Sequence, residues 1–297
     1  MRRLAVFLFL VLAAASPAHA AGRIDDAPRI AVISAFAPEL AALERQTVHK
    51  HRYERGGAVF VTGRLEGKPV VLLLSGVSMV NAAMTTQLTL DRFNVRRIVF
   101  SGVGGGVDPA LHVGDVVVPD QWAEYLEMTF ARKTADGFAL PRGEGPAGYG
   151  MMTPAPVTVQ RRPGAAEHRI WFPADPAMLR AARTAATGVE LKRCAGEHCL
   201  ADAPRIVVGG SGVSGSAFVD NAEFRQYAFS TFKAEVLDME TAAVAHVAYV
   251  DGVPFIAFRS LSDLAGGDPG ANQFPLFVQL AADNSAAAVR RFLRELP

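Results

Sequence analysis

Apolar residues along this 297-residue chain cluster in short unbroken runs, with helix-spaced segments between them. The first run is Arg29-Ile30-Ala31-Val32-Ile33. A run without polar alternation predicts a strand covered on both faces, as in a parallel sheet. Ser34-Ala35-Phe36-Ala37 reads as a loop, and Pro38-Glu39-Leu40 opens a helix with proline at a tolerated first-turn position. Val59 to Leu65 and Pro69 to Leu74 are strands joined through Glu66-Gly67-Lys68 as a hairpin. Ser75-Gly76-Val77-Ser78 leads into a helix from about Met79 to Arg92. Arg97-Ile98-Val99-Phe100 is a buried strand that runs into the glycine-rich Ser101-Gly102-Val103-Gly104-Gly105-Gly106, and Val113 to Pro119 gives a turn and a strand.

Residues 121–176 are less regular and read as a long decorated excursion, part of which covers a cleft. Asp175-Pro176 caps a helix through about Thr187. Pro204 to Gly210 is a strand, Ser214 to Asp220 a loop, and a short helix lies near Glu223. Val236-Leu237 ends a strand before Asp238-Met239-Glu240, and an alanine-rich helix follows to about Val250. Pro254 to Arg259 is the last strand, ending in Ser260-Leu261-Ser262-Asp263, and Leu276 to Leu296 is an amphipathic C-terminal helix. Strands alternating with helices, without an internal repeat, predict one α/β domain of about 275 residues.

Composition bounds this picture at both ends of the chain. Half of the residues are hydrophobic, which suits a globular core, and a net charge of +1 supplies no basic field for nucleic acid. Residues 1–20 read as a signal peptide rather than as part of the fold. Arg2 and Arg3 form a charged start, Ala5 to Ala15 an apolar stretch too short for a comfortable membrane span, and Ala18-His19-Ala20 a small-x-small cleavage site. The expectation is a periplasmic or secreted protein with no membrane attachment after cleavage, an uncleaved anchor being the alternative. Residues 21–28 are polar and expected to be loose. Cys194 and Cys199, the two cysteines, flank Ala195-Gly196-Glu197-His198. An exported chain favours a small-loop disulfide between them. The competing possibility is a metal site with His198, for which no fourth ligand is near.

Three carboxylates share one topological address. Glu39, Glu240 and Asp263 each follow a buried strand, and parallel strands would bring all three to one edge of the sheet, where ligands bind in open α/β folds. Each has a structural alternative: Glu39 as a dipole partner in a first helical turn, Glu240 beside Asp238 at a helix start, Asp263 as a cap. The glycine run alone is a weak signal. It lacks the lysine of a phosphate-binding loop and comes late for a dinucleotide site. His246 reads as a core histidine, Asp238 as a cap, and Arg259 as a structural partner of a carboxylate with a site role left open.

Four blocks carry a resemblance. They are Ile30 to Glu39; Ser75 to Ala83; Ser101 to Gly106 with Val113 to Val118; and Val236 to His246 with Phe258-Arg259-Ser260-Leu261-Ser262-Asp263. In this order the chain resembles the nucleoside phosphorylase/nucleosidase superfamily, and within it the 5′-methylthioadenosine/S-adenosylhomocysteine nucleosidases. The resemblance covers residues 29–120 and 203–297, whereas 121–202 does not align. It implies a single-domain, three-layer α/β/α fold with a mixed, largely parallel twisted sheet over 29–297. It also implies hydrolysis of an N-ribosyl bond in a purine or 5′-thio-nucleoside through an oxocarbenium-like state. Asp263 would protonate the leaving base, with Ser262 orienting it, and Glu39 would be the base that activates water. Glu240 would bind the ribose hydroxyls over Met239, Phe218 would stack on the base beside Val219, and Val103 and Gly104 would line the pocket. No cofactor or metal is required, and a homodimer is expected by analogy.

The chain departs from that family at three places. Val103 stands where Ser or Thr occurs in the glycine-rich loop, and Phe100 where bacterial-type phosphorylases carry Arg. Both losses weaken an anion site and favour water over phosphate. Ser216 replaces the acid before Ala-Phe, which leaves adenine preference open. The rivals are a phosphate-dependent phosphorylase and a secreted nucleoside-binding or storage-like protein without catalysis.

Overall fold

The computed structural model describes residues 22–139 and 148–297, so the expected signal segment lies outside the described residues. Its centre is a twelve-stranded sheet. Numbering only the strands of this sheet, they are β1 (Asp25–Ser34), β2 (Val48–Arg55), β3 (Ala58–Leu65), β4 (Lys68–Leu74), β5 (Phe93–Gly106), β6 (Val116–Val118), β7 (Gln121–Glu124), β8 (Trp171–Pro173), β9 (Ile206–Val208), β10 (Ser211–Ser214), β11 (Ala234–Asp238) and β12 (Phe255–Asp263). The helices are α1 (Ala37–Gln46), α2 (Met79–Arg92), α3 (Pro176–Ala186), α4 (Ala222–Phe232), α5 (Thr241–Asp251) and α6 (Phe274–Glu295).

The main path of the sheet runs β8-β7-β10-β11-β5-β1-β4-β3-β2, with β12 beside β5, and β6 between β12 and β9. Neighbours β1, β4, β5 and β12 are parallel, while β2-β3-β4 is an antiparallel meander. Alternate side chains of β1 enter opposite layers. Ile30 and Val32 pack with Leu43 of α1, Ala182 of α3 and Phe292 of α6. Ala31 and Ile33 pack with Ala82 of α2 and Val244 of α5. The domain is therefore the three-layer α/β/α arrangement with a mixed, largely parallel sheet.

Three sequence expectations change. Strand β1 begins at Asp25 rather than at Arg29, because Arg29 pairs with Asp25 at 2.6 Å and Pro28 registers against Asn94 of β5. The segment expected to be loose thus enters the sheet. The strand expected at Arg97–Phe100 does not end before the glycine run: β5 continues as strand through Gly106. A side chain at Gly102 would overlap the Arg259 guanidinium and the Glu39 carboxylate, and one at Gly104 would overlap Val236 and the Leu237 carbonyl. Glycine is needed here for close approach rather than for turning. Finally, β11 runs antiparallel to β5, pairing Leu237 with Gly105 and Val236 with Gly106. The overshoot of β5 is what lets an antiparallel strand return Glu240 to the same edge as Glu39.

Among the described residues of 121–202, β7 and β8 join the sheet, three two-stranded antiparallel pairs lie between them in the chain, and α3 and a disulfide hairpin follow. In the last, Cys194 and Cys199 pair across two-residue strands and are covalently bonded, with Gly196 turning at φ +62°. The bond occupies both cysteines, which sets aside the Cys-His-Cys metal alternative. Among the described residues, none from 121–202 lines the cleft at the sheet edge, and residues 140–147 of the excursion lie outside the described residues.

Candidate active site

Helix α1 starts three residues after β1, and its first turn carries Glu39. The Glu39 carboxylate folds back, so that Oε2 accepts the N–H groups of Ala35 (2.7 Å) and Phe36 (3.3 Å). Its Oε1 accepts the Val103 N–H at 2.8 Å. Glu39 is fully buried, and burial raises its carboxyl above the ordinary value against the opposing pull of Arg259 and these three amides.

Arg259 occupies the middle of β12 and is 1% exposed. Its Nε lies 2.6 Å from Asp238 Oδ2, its Nη2 3.3 Å from Glu240 Oε2, and its Nη1 3.6 Å from Glu39 Oε1. Nη1 also donates to the Val103 carbonyl at 2.9 Å, and the guanidinium sits 4.3 Å from the centre of the Phe100 ring. One cation thus serves three carboxylates. With all three ionised the cluster would carry two excess negative charges in a buried site, so it favours keeping a proton. Glu240 shows the effect. Burial first, then the nearby Asp238 and Glu39, push its carboxyl up to about 7, although Arg259 and the Ser78 N–H (2.8 Å from Oε1) draw it down.

Asp238 keeps the structural role read from the sequence. Its Oδ1 accepts the N–H groups of Glu240 and Thr241, both at 3.1 Å, and the Ser214 hydroxyl at 2.5 Å, while Thr241 donates its hydroxyl to Oδ2. These bonds set the elbow that turns Met239 and Glu240 into the cleft.

At the end of β12, Asp263 Oδ1 accepts the Ala265 N–H at 2.9 Å, and Ser262 Oγ lies 2.9 Å from Oδ2. Ser262 also reaches the Gly104 carbonyl at 3.3 Å. These contacts fix the plane of the carboxyl. Burial raises the Asp263 pKa despite both donors, the disposition of a carboxylic acid that holds its proton.

The cleft is about 320 Å³ and is lined by every residue assigned to it from the sequence: Glu39, Val103, Gly104, Phe218, Val219, Met239, Glu240, Ser262 and Asp263. Phe218 stands at the mouth, 57% exposed and edge-on to Phe274 with centroids 5.6 Å apart. Val103 takes part through its backbone, which ties Glu39 to Arg259. Its side chain packs with Phe36, Phe274 and Ala281. Ser216 does not line the cleft; its hydroxyl meets that of Ser78 at 2.8 Å. His246 is half-buried, stacks on Phe172 at 4.3 Å and pairs with Glu124 at 3.1 Å, away from this site.

Arg259 and three apolar walls are among the contributors that the sequence does not assign. Arg259 was left open, although its place on a strand continuous with Asp263 was a usable signal. The apolar walls Phe36, Val77 and Phe274 lie on loops and helix ends with no distinguishing pattern.

The arrangement is a buried acid, Asp263, and an acid-rich, proton-holding cluster, both opening on one apolar cleft. A family model described as the phosphorylase superfamily matches residues 29–294. A 5′-methylthioadenosine/S-adenosylhomocysteine nucleosidase of Geobacillus thermodenitrificans is 31% identical over 267 residues, covering 89% of this chain and 96% of that protein. Among solved structures, the nucleosidase of that name from Neisseria meningitidis, in complex with methylthio-immucillin-A, is 27% identical with a TM-score of 0.67, covering 90% of this chain and 99% of that one. The corresponding nucleosidase from Colwellia psychrerythraea, in complex with adenine, is 26% identical with a TM-score of 0.68, covering 92% and 97%. The match over nearly the whole domain, together with the shared fold, shows that this chain belongs to the phosphorylase superfamily.

Proposed function

We propose that the protein is an exported nucleosidase that hydrolyses the N-ribosyl bond of purine nucleosides, with 5′-thio-nucleosides as preferred substrates. The observation that carries this reading is the Glu39–Arg259–Glu240 cluster. Arg259 is the one cation that lines the cleft among the described residues, and its guanidinium is taken up by three carboxylates. Phosphate entering here would meet like charge with no free partner, whereas water finds acceptors and a base.

The chemistry follows from position. Asp263, whose pKa burial raises, is the acid that gives its proton to the purine nitrogen as the C–N bond lengthens. The pair of electrons leaves with the base, and positive charge grows on the ribose. Glu240, which lines the cleft, accepts hydrogen bonds from the ribose hydroxyls, and a carboxylate in that role stabilises the growing charge. Met239 packs under the sugar, and Phe218 and Val219 hold the base. Water attacks the anomeric carbon and loses a proton to Glu39, which the Val103, Ala35 and Phe36 amides hold in place. The relatives named as nucleosidases, one solved with adenine and one with methylthio-immucillin-A, support this substrate class. The apolar walls Phe36, Val77 and Phe274 support an uncharged 5′ substituent.

Export rests on the N-terminal pattern, and the Cys194–Cys199 bond suits an oxidising compartment. A homodimer is proposed on the exposed stripe Val77, Val80 and Met84 beside the cleft. Purine nucleosides carrying a 5′-hydroxyl, a 5′-methylthio group or a 5′-phosphate test the substrate claim. Release of base is expected to be fastest from the methylthio compound and negligible from the phosphate. Equal turnover of the 5′-phosphate would contradict the apolar 5′ end.

A further inference from the structure

Ser78 holds a backbone conformation that a serine rarely adopts, with φ +83° and ψ 160°. That region belongs almost wholly to glycine and costs an L-residue about 1–3 kcal/mol. Strain of this size persists only where neighbours hold it. Ser78 is also the N-cap of α2, yet its hydroxyl caps no helical N–H. It is turned aside and meets the Ser216 hydroxyl at 2.8 Å. The conformation aims the Ser78 N–H at Glu240 Oε1, also at 2.8 Å.

Ser216 lies on the loop between β10 and α4, next to Ala217, Phe218 and Val219 of the cleft wall. The Tyr125 hydroxyl donates to the Ala217 carbonyl at 3.1 Å and holds that loop from its far side. The Ser78–Ser216 contact therefore joins the wall proposed to hold the base to the helix end that positions the proposed ribose carboxylate.

We propose that Ser78 and Ser216 form a latch that keeps the strained Ser78 backbone in place so that its N–H positions the Glu240 carboxylate. Both are positioning residues; neither touches the reacting atoms. The role in turnover rests on the nucleosidase reading above, whereas the geometric claim does not. The charged groups facing Glu240 are Arg259 from β12, Asp238 from β11 and Glu39 from α1. All three are untouched by changes at Ser78 or Ser216.

The test combines kinetics with a titration that needs no turnover. Protein labelled with ¹³C at glutamate carboxyls is titrated by NMR, with the Glu240 resonance assigned from Glu240→Gln. Losing an amide donor to a carboxylate raises its pKa, so Ser216→Ala is expected to move the Glu240 midpoint up by roughly half to one pH unit. Ser216→Thr, which keeps a hydroxyl, should restore it. Ser78→Ala keeps the strain without the latch and should shift the midpoint as Ser216→Ala does, while Ser78→Gly removes the strain and should shift it less. The shifts in Ser78→Ala, Ser216→Ala and the double variant should not add. In kinetics, Ser216→Ala should lower kcat/KM about 3- to 10-fold with its acid limb displaced upward. An unmoved Glu240 midpoint in both alanine variants overturns the latch, whatever the activity. A moved midpoint in a protein that hydrolyses no nucleoside supports the latch and overturns the nucleosidase reading instead.

Discussion

At the scale of single residues, function concentrates in groups that ordinary surface chemistry would not tolerate. Asp263, Glu39 and Glu240 all bind protons more tightly than a solvated carboxylate, and burial is the first cause for each. Asp263→Asn removes the proposed proton donor and is expected to lower kcat by about 10²- to 10⁴-fold with the fold intact, measured by base release and circular dichroism. Glu240→Gln should cost about 10²- to 10³-fold in kcat, and unchanged turnover would remove the proposed role. The Glu240 shift also has a sign for stability. Its folded pKa of about 7 exceeds the ordinary 4.5, so between those values the folded state binds more protons than the unfolded one. This group's contribution to stability is full below pH 4.5 and is lost as pH rises to about 7. Thermal melts from pH 4.5 to 8 should show a decline that Glu240→Gln flattens. The carboxylates were legible from their places after strands. Ser78 was not, because an amide donor leaves no mark on residue type and its glycine-like backbone is hidden under a serine.

At the scale of elements, the site depends on β5 overshooting its neighbours. Val103 sits in that overshoot, and its N–H and carbonyl connect Glu39 with Arg259. Gly104→Ala would force a methyl group against Val236 and the Leu237 carbonyl. A loss of about 1–3 kcal/mol in denaturant unfolding is expected, with a larger fractional loss of activity because β11 leads directly into Glu240. Helices and strands with strong periodicity were legible, among them α2 with its bounds. Strand β2 was not anticipated: Val48–Arg55 is an exposed edge whose His, Lys, Arg and Glu residues carry no alternation. Such charges discourage further strand pairing, so the feature that protects the edge also hides it. The convergence of three carboxylates was expected from parallel strands, and it arrives with one of them antiparallel, a matter of register that no local pattern records. The disulfide hairpin packs through Ala195 near Phe277 and Leu280 of α6. It closes a short loop, so Cys194→Ser with Cys199→Ser should lower stability by at most about 2 kcal/mol.

At the scale of the whole molecule, the domain presents an apolar cleft on which Glu39, Glu240 and Asp263 open, and an exposed apolar stripe on α2. Among the described residues no helix is long and apolar enough to cross a membrane. Val80 and Met84 are 77% and 59% exposed. If this face is where two copies meet, Val80→Glu with Met84→Glu should halve the mass seen in sedimentation. A wild-type monomer at micromolar concentration would contradict the proposed dimer. The α/β class followed from the alternation of runs and helices, and the three-layer form from the family resemblance. The arrangement of the described part of 121–202 did not, since its strands are short and those of the hairpin at Arg132–Thr134 and Gly137–Ala139 are wholly exposed, so no buried face marks them in the sequence. The central claim is that water, not phosphate, cleaves the N-ribosyl bond in this cleft. Its most direct test is ³¹P NMR of the protein acting on a 5′-methylthio purine nucleoside in phosphate buffer, with base release followed in parallel. The predicted result is free base and free sugar, at a rate indifferent to phosphate and with no new phosphorus signal. A sugar 1-phosphate resonance growing with the released base, and no release without phosphate, would contradict it.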